Sequence, residues 1–154
     1  MHGAWHGAWC WAEYFLDFFA ARGYAAHALS LRGHGASAGH ERLRGTRIAD
    51  YVADVAAVAA TLPQPPVLIG HSMGGLVVQK FLERHTVPGA VLLAPVPPSG
   101  VLGTTLRLAR RHPLIFVRVN LTLSLYPLVA TPRLARECFF SDDLPDARVN
   151  ACWE

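Results

Sequence analysis

The sequence predicts an α/β fold, a parallel sheet with crossover helices, followed by a helical segment. Three observations carry that prediction. Strand-like and helix-like runs alternate over about the first hundred of the 154 residues. The pentapeptide Gly70-His71-Ser72-Met73-Gly74 lies between the apolar run Val67-Leu68-Ile69 and the helix-like Leu76-Val77-Val78-Gln79-Lys80-Phe81-Leu82. From Pro95 onward the alternation is lost and apolar, proline-punctuated helical patterns run to the end, with no repeat and no low-complexity tract.

In chain order, residues 9–22 carry Trp11, Phe15, Phe18 and Phe19 at helical spacing and stop at Gly23, a left-handed C-terminal cap. Residues 24–31 form a short run of small and apolar residues, read as a strand, and Arg32-Gly33-His34-Gly35-Ala36-Ser37 is its turn. Thr46 offers an N-cap to a helix whose Ile48, Val52, Val55, Ala59 and Leu62 share one face, broken by Pro63-Gln64-Pro65-Pro66. After the Ser72 strand and its helix, Val87-Pro88-Gly89 turns the chain into Ala90-Val91-Leu92-Leu93-Ala94, which reads as a buried strand.

The pentapeptide carries the chemistry. A strand that turns sharply into a helix forces the serine between them into strained backbone, tolerable only with small flanking residues, hence Gly70 and Gly74. The turn lifts the Ser72 hydroxyl above the sheet and sets it at a helix N-terminus, where free N–H groups and the dipole favour developing negative charge. A nucleophile for acyl transfer needs that environment, whereas a plain Gly-rich turn does not.

Composition bounds the alternatives. At 52% hydrophobic and 16% charged the chain is globular and not disordered. Its net charge of +3 comes mainly from arginine, with Lys80 the only lysine, and Arg107, Arg110, Arg111 and Arg118 read as a solvated helix face without a nucleic-acid motif. Cys10, Cys138 and Cys152 have neither disulfide-framework nor zinc spacing and read as reduced thiols of a cytoplasmic protein. No signal peptide opens the chain, and residues 113–130 are interrupted by Arg118, Asn120 and prolines at 113 and 127, so no membrane span is expected. His2 and His6 are spaced like helical metal ligands, but no carboxylate or cysteine completes a site, and neither metal nor cofactor is expected.

Three motifs in order make the chain resemble the α/β-hydrolase superfamily over essentially its whole length. His2-Gly3-Ala4-Trp5 is similar to the family's oxyanion segment, Arg32-Gly33-His34-Gly35-Ala36-Ser37 to the loop after its fourth strand, and Gly70 to Gly74 to its nucleophile elbow. The longer string His2-Gly3-Ala4-Trp5-His6-Gly7-Ala8-Trp9 is similar to lipase-like and methylesterase or hydroxynitrile-lyase-like members. The resemblance implies that Ser72 forms the acyl-enzyme and that the backbone N–H groups of Ala4 and Met73 hold the oxyanion. His71 then belongs to the Gly-His-Ser sequence and is not the base.

The resemblance also implies what is missing. The family's triad acid and histidine follow the serine, beyond the cap. Here only His85, at the end of the nucleophile helix, and His112, inside a helical cap segment, come after Ser72, and neither position fits a base. Asp142, Asp143 and Asp146 read as the N-terminal cap of another helix. A family member has further strands before His2, one of them between the strands at Tyr24 and Val67, so the sheet is expected to have a gap.

The reading is a partial α/β-hydrolase core at 1–96 and the start of a helical cap at 97–154, an internal part of a larger serine hydrolase and inactive by itself. The implied substrate is a small ester with an apolar acyl portion. Leu114, Ile115, Phe116, Leu121, Leu123 and Leu125 either line its pocket or seal the cap to the core. The alternatives are hydroxynitrile-lyase, haloperoxidase-like or C–C-bond hydrolase chemistry on the same elbow, or a non-catalytic fragment or binding module.

Overall fold

A computed structural model of the chain describes residues 1–122, 124 and 126–153. Leu123 and Leu125 of the expected apolar cluster lie outside the described residues. The chain divides into two compact units, Met1–Gly100 and Val101–Glu154.

The first unit is built on one crossover. Strand β1 (Leu68–His71) and strand β2 (Ala90–Leu93) pair in parallel, Leu68 opposite Ala90 and His71 opposite Leu93, and α4 (Met73–Leu82) joins them. Parallel strands need such a connection because the chain must return to the same end of the sheet. Helix α4 turns Val77, Val78 and Phe81 into a core with Tyr51 and Val55 of α3 (Ile48–Thr61), Leu31 and Leu68. Tyr51 and Val55 are four residues apart and therefore share one helix face.

Local details depart from the expectations where tertiary partners decide. The cap of α3 is Arg47, not Thr46: the Arg47 N–H donates to Asp50 Oδ2 at 2.8 Å, and Thr46 instead ends a 3₁₀ turn at His40–Gly45. The first helix is two pieces, α1 (Trp9–Ala12) and α2 (Phe15–Ala20), because Tyr14 leaves helical backbone at φ −142°. Ala21 caps the second piece, and Gly23 follows in the left-handed region at φ 82°, its N–H donating to the Ala20 carbonyl at 2.9 Å.

Residues 24–31 carry no strand, contrary to expectation. A strand exists only where a neighbour completes its ladder. Residues 24–29 border a cavity instead, and the Leu31 N–H donates to the His2 side chain. Nor is β2 buried as expected: Val91 is 45% and Leu92 39% exposed, with β1 the only strand beside it among the described residues.

The second unit is helical, with α5 (Leu102–Arg111), α6 (Pro113–Thr122), a 3₁₀ turn at Tyr126–Leu128, α7 (Pro132–Phe139) and α8 (Asp146–Trp153). His112, read from sequence as lying inside a helix, stands at the joint of α5 and α6 with φ −136°. Thr131 caps α7 by accepting the Leu134 N–H at 3.2 Å, with Pro132 at the first helical position where its missing N–H costs nothing. Arg136 ties the loop before α8, donating to the carbonyls of Ser141, Asp142 and Leu144 and meeting Asp146 at 2.8 Å. Among the described residues no helix is long and apolar enough to cross a membrane.

Candidate active site

The elbow is a real backbone feature. Ser72 sits at φ 52° and ψ −118°, between the end of β1 and the first turn of α4. For a residue with a Cβ this conformation is strained, and it persists only where the surroundings over-determine it. They do so here through the Ser72 main chain: its N–H donates to Leu93 O at 3.0 Å, and its carbonyl accepts from Gly75 at 3.0 Å, Leu76 at 3.3 Å and Val96 at 3.0 Å.

The glycines of the elbow are demanded by close approach. A Cβ on Gly70 would stand 2.6 Å from the Gly74 carbonyl oxygen, and one on Gly74 would stand 2.5 Å from the His2 oxygen and 2.6 Å from the Met1 oxygen. Those neighbours are backbone and cannot swing aside. The contact also brings the start of the chain onto the elbow: the Met1 amine donates to Ile69 O at 2.5 Å and the His71 N–H donates to Met1 O at 3.0 Å. Residues 2–5 thus lie beside Ser72, and a Cβ on Gly3 would be 3.0 Å from the Ser72 Cβ. Among the described residues, neither the Ala4 N–H nor the Met73 N–H has a hydrogen-bond partner.

Four histidines lie on or pack against the segments that meet here, and their roles differ. His2 is fully buried and uses both ring nitrogens: Nδ1 lies 2.7 Å from the Gly3 carbonyl and so carries the proton, while Nε2 accepts the Leu31 N–H at 3.0 Å. Burial holds its pKa down at about 4, so it is neutral. His34 lies across from it, ring centroids 5.1 Å apart, with Nδ1 on the Arg32 carbonyl at 3.1 Å. His71 and His6 meet edge to face at 6.4 Å, and burial followed by the nearby His6 lowers the His71 pKa. His6 Nδ1 is taken by Ala4 O at 2.8 Å, and its ring stacks on Trp9 at 5.4 Å.

The glycine loop at 33–35 packs against the same segment. A Cβ on Gly7 would meet Gly35 Cα at 3.0 Å, and the Ala8 N–H donates to Ser30 Oγ at 2.8 Å. Arg32, at the head of the loop, grips Asp54 of α3 through Nε at 2.9 Å, Nη2 at 2.6 Å and its own N–H at 3.0 Å. Partial burial pushes the Asp54 pKa up, but the hydrogen bonds and charge of Arg32 outweigh it and the net shift is downward.

No side chain among the described residues hydrogen-bonds the Ser72 hydroxyl, so no base is assembled on it. His85 stacks on Phe81 at 4.2 Å, beyond the far end of α4 and so roughly 15 Å along the helix from the serine. The second unit does hold a histidine–carboxylate pair that sequence reading missed, His112 Nε2 with Glu137 Oε1 at 2.8 Å, and the bond lowers the Glu137 pKa. The 25-residue separation gave no periodic signal for it. Among the described residues no cluster of His, Cys, Asp and Glu is arranged to hold a metal ion, and the three cysteines are free.

A sequence model described as "Alpha/beta hydrolase family" matches residues 1–154, and the chain belongs to that family. Among individual relatives it is 44% identical over 89 residues to a non-heme haloperoxidase of Rhodococcus erythropolis, covering 54% of this chain and 31% of that protein. It is 38% identical over 103 residues to esterase PIR7B of Oryza sativa subsp. japonica, covering 64% of this chain and 38% of the esterase. A solved structure of tomato methylketone synthase I, a variant complexed with beta-ketoheptanoate, aligns at a TM-score of 0.52 and 28% identity over 64% of this chain and 39% of that one. The chain thus spans less than two-fifths of each of these relatives.

Proposed function

We propose that the chain carries the nucleophile and the oxyanion hole of a serine esterase acting on a small ester with an apolar acyl portion. Ser72 Oγ attacks the ester carbonyl and the Ala4 and Met73 N–H groups hold the oxyanion. Loss of the alcohol leaves an acyl-enzyme, which water then cleaves. The observation that carries this reading is the positive φ of Ser72 at the head of α4, with Gly3 pressed against it. Two unpartnered N–H groups near a helix N-terminus suit a developing oxyanion. The second unit is read as the start of a cap, and the setting as cytoplasmic, on the strength of three free cysteines.

On this reading the 154-residue chain does not turn over esters alone, because nothing takes the Ser72 proton. The chain should give no p-nitrophenyl butyrate hydrolysis above that of Ser72→Ala. In a longer protein that joins it to an acid and a histidine, a fluorophosphonate probe should label Ser72 and spare Ser72→Ala. Labelling that persists in the variant removes Ser72 from the mechanism. A second reading, haloperoxidase-like chemistry on the same serine, is favoured by the 44% identity to the Rhodococcus relative. Ser72-dependent, peroxide-dependent halogenation in that longer protein would select it over ester hydrolysis.

A further inference from the structure

The two N–H groups assigned to the oxyanion are held by different means. That of Met73 opens α4, where the strained Ser72 backbone and the bonds to its carbonyl fix the turn. That of Ala4 lies on a turn outside any helix or strand, with Trp5 next to it in the left-handed region at φ 62°. A tryptophan has no preference for that backbone and keeps it only where other contacts hold it. An N–H aimed at a developing charge stabilises it fully only if its direction is set beforehand.

The contact that sets it comes from His6. Its Nδ1 lies 2.8 Å from the Ala4 carbonyl oxygen, which can only accept, so Nδ1 carries the proton and donates. The bond reaches across Trp5 and so closes the left-handed turn with a side chain. The ring is anchored in its own right, stacked on Trp9 at 5.4 Å and 25° and meeting His71 edge to face at 6.4 Å. Trp9 comes this close because residue 7 lacks a side chain: a Cβ on Gly7 would stand 2.9 Å from Trp9 Cδ1. His71 immediately precedes Ser72, and a Cβ on Gly3 would stand 3.2 Å from its Nδ1. One half-buried imidazole therefore ties the Ala4 carbonyl to the first residue of α1 and the last residue of β1.

We propose that His6 is a positioning residue of the oxyanion hole, fixing the direction of the Ala4 N–H toward Ser72 by holding the Ala4 carbonyl. The proposal rests on the reading of Ser72 as nucleophile and Ala4 as donor. The carbonyl and the N–H flank one Cα, so a turn that relaxes at Trp5 swings both and carries the donor off line. His6 itself touches no reacting atom. Because the oxyanion forms only on attack, releasing the turn lowers kcat and leaves KM in place.

The test uses the longer protein that joins this chain to an acid and a histidine, with p-nitrophenyl butyrate as substrate and kcat taken per Ser72 titrated by fluorophosphonate. Two replacements separate the bond from the packing. His6→Phe keeps a ring against Trp9 and His71 and loses the donor, whereas His6→Asn keeps an N–H near the Nδ1 position and loses the ring. His6→Phe should lose at least roughly tenfold and up to about 10²-fold in kcat at unchanged KM, and His6→Asn should recover most of that loss. Independently of turnover, ring 15N shifts at alkaline pH should show His6 with its proton on Nδ1. A proton on Nε2, full activity in His6→Phe, or His6→Asn as impaired as His6→Phe would each overturn the proposal, the last by showing that packing alone matters. Turnover that survives Ser72→Ala would instead remove the esterase reading, and the proposal with it.

Discussion

The His2 imidazole takes the main-chain N–H of Leu31 at 3.0 Å, so a side chain stands where a neighbouring strand would otherwise satisfy that group. Both residues are fully buried. His2→Ala should therefore leave a buried donor unpaired and cost about 1–3 kcal/mol, read as a lowered urea midpoint at unchanged slope.

The same contact makes stability pH-dependent. His2 has its pKa lowered to about 4 and the Met1 amine to about 6, so the unfolded chain binds more protons than the folded one between these values and the ordinary ones. Stability should fall as pH drops from about 8 to 6 through the amine, and again from about 6.5 to 4 through His2. The fall from His2 is at most about 3 kcal/mol. Asp54, with its pKa lowered, adds a further loss only below about pH 4. Acetylating the amino terminus should remove the upper step and leave the lower one in chemical denaturation across pH.

Ser72 stores strain that a glycine would not feel. Ser72→Gly should stabilise the first unit by about 1 kcal/mol in thermal or urea unfolding, although glycine elsewhere in an element loosens the fold. A destabilised variant would show that the elbow imposes no strain.

At Gly74 the effect reverses. An added Cβ runs into the main chain of Met1 and His2, so Gly74→Ala should destabilise by roughly 1–3 kcal/mol. Gly45→Ala, with nothing within 4 Å of its Cβ, should be close to neutral and serves as the control in the same unfolding assay.

In the second unit Arg136 gathers three carbonyls and one carboxylate from residues 141–146. Arg136→Ala should open that loop to limited proteolysis between α7 and α8 while sparing α5 and α6.

The elbow was legible in the sequence because its causes are local: small residues at 70 and 74 where an apolar run gives way to a helical stripe. Ile48, Val52 and Val55 of the α3 face and the left-handed turn at Gly23 were legible for the same reason, whereas Tyr51 of that face was not and the cap itself falls on Ala21. Residues 24–31 were not, since a strand-like composition becomes a strand only with a partner, and none pairs with them among the described residues. The burial of β2 likewise depended on neighbours that no period encodes. His112 and Glu137 meet across a helix joint, which sequence spacing does not announce. Of the site, the family resemblance implied that the Ala4 N–H serves Ser72, but the close approach of Gly3 to Ser72 and the use of both His2 nitrogens for structure came only from geometry.

The Ser72 carbonyl accepts from Gly75, Leu76 and Val96 together, so one oxygen joins the head of α4 to the chain leaving β2. The Val96 amide becomes a remote gauge of the elbow: its exchange with solvent requires that oxygen to let go. A compound or substitution that unseats the serine backbone would be heard first as faster exchange at Val96, about two dozen positions downstream, without any measurement of catalysis.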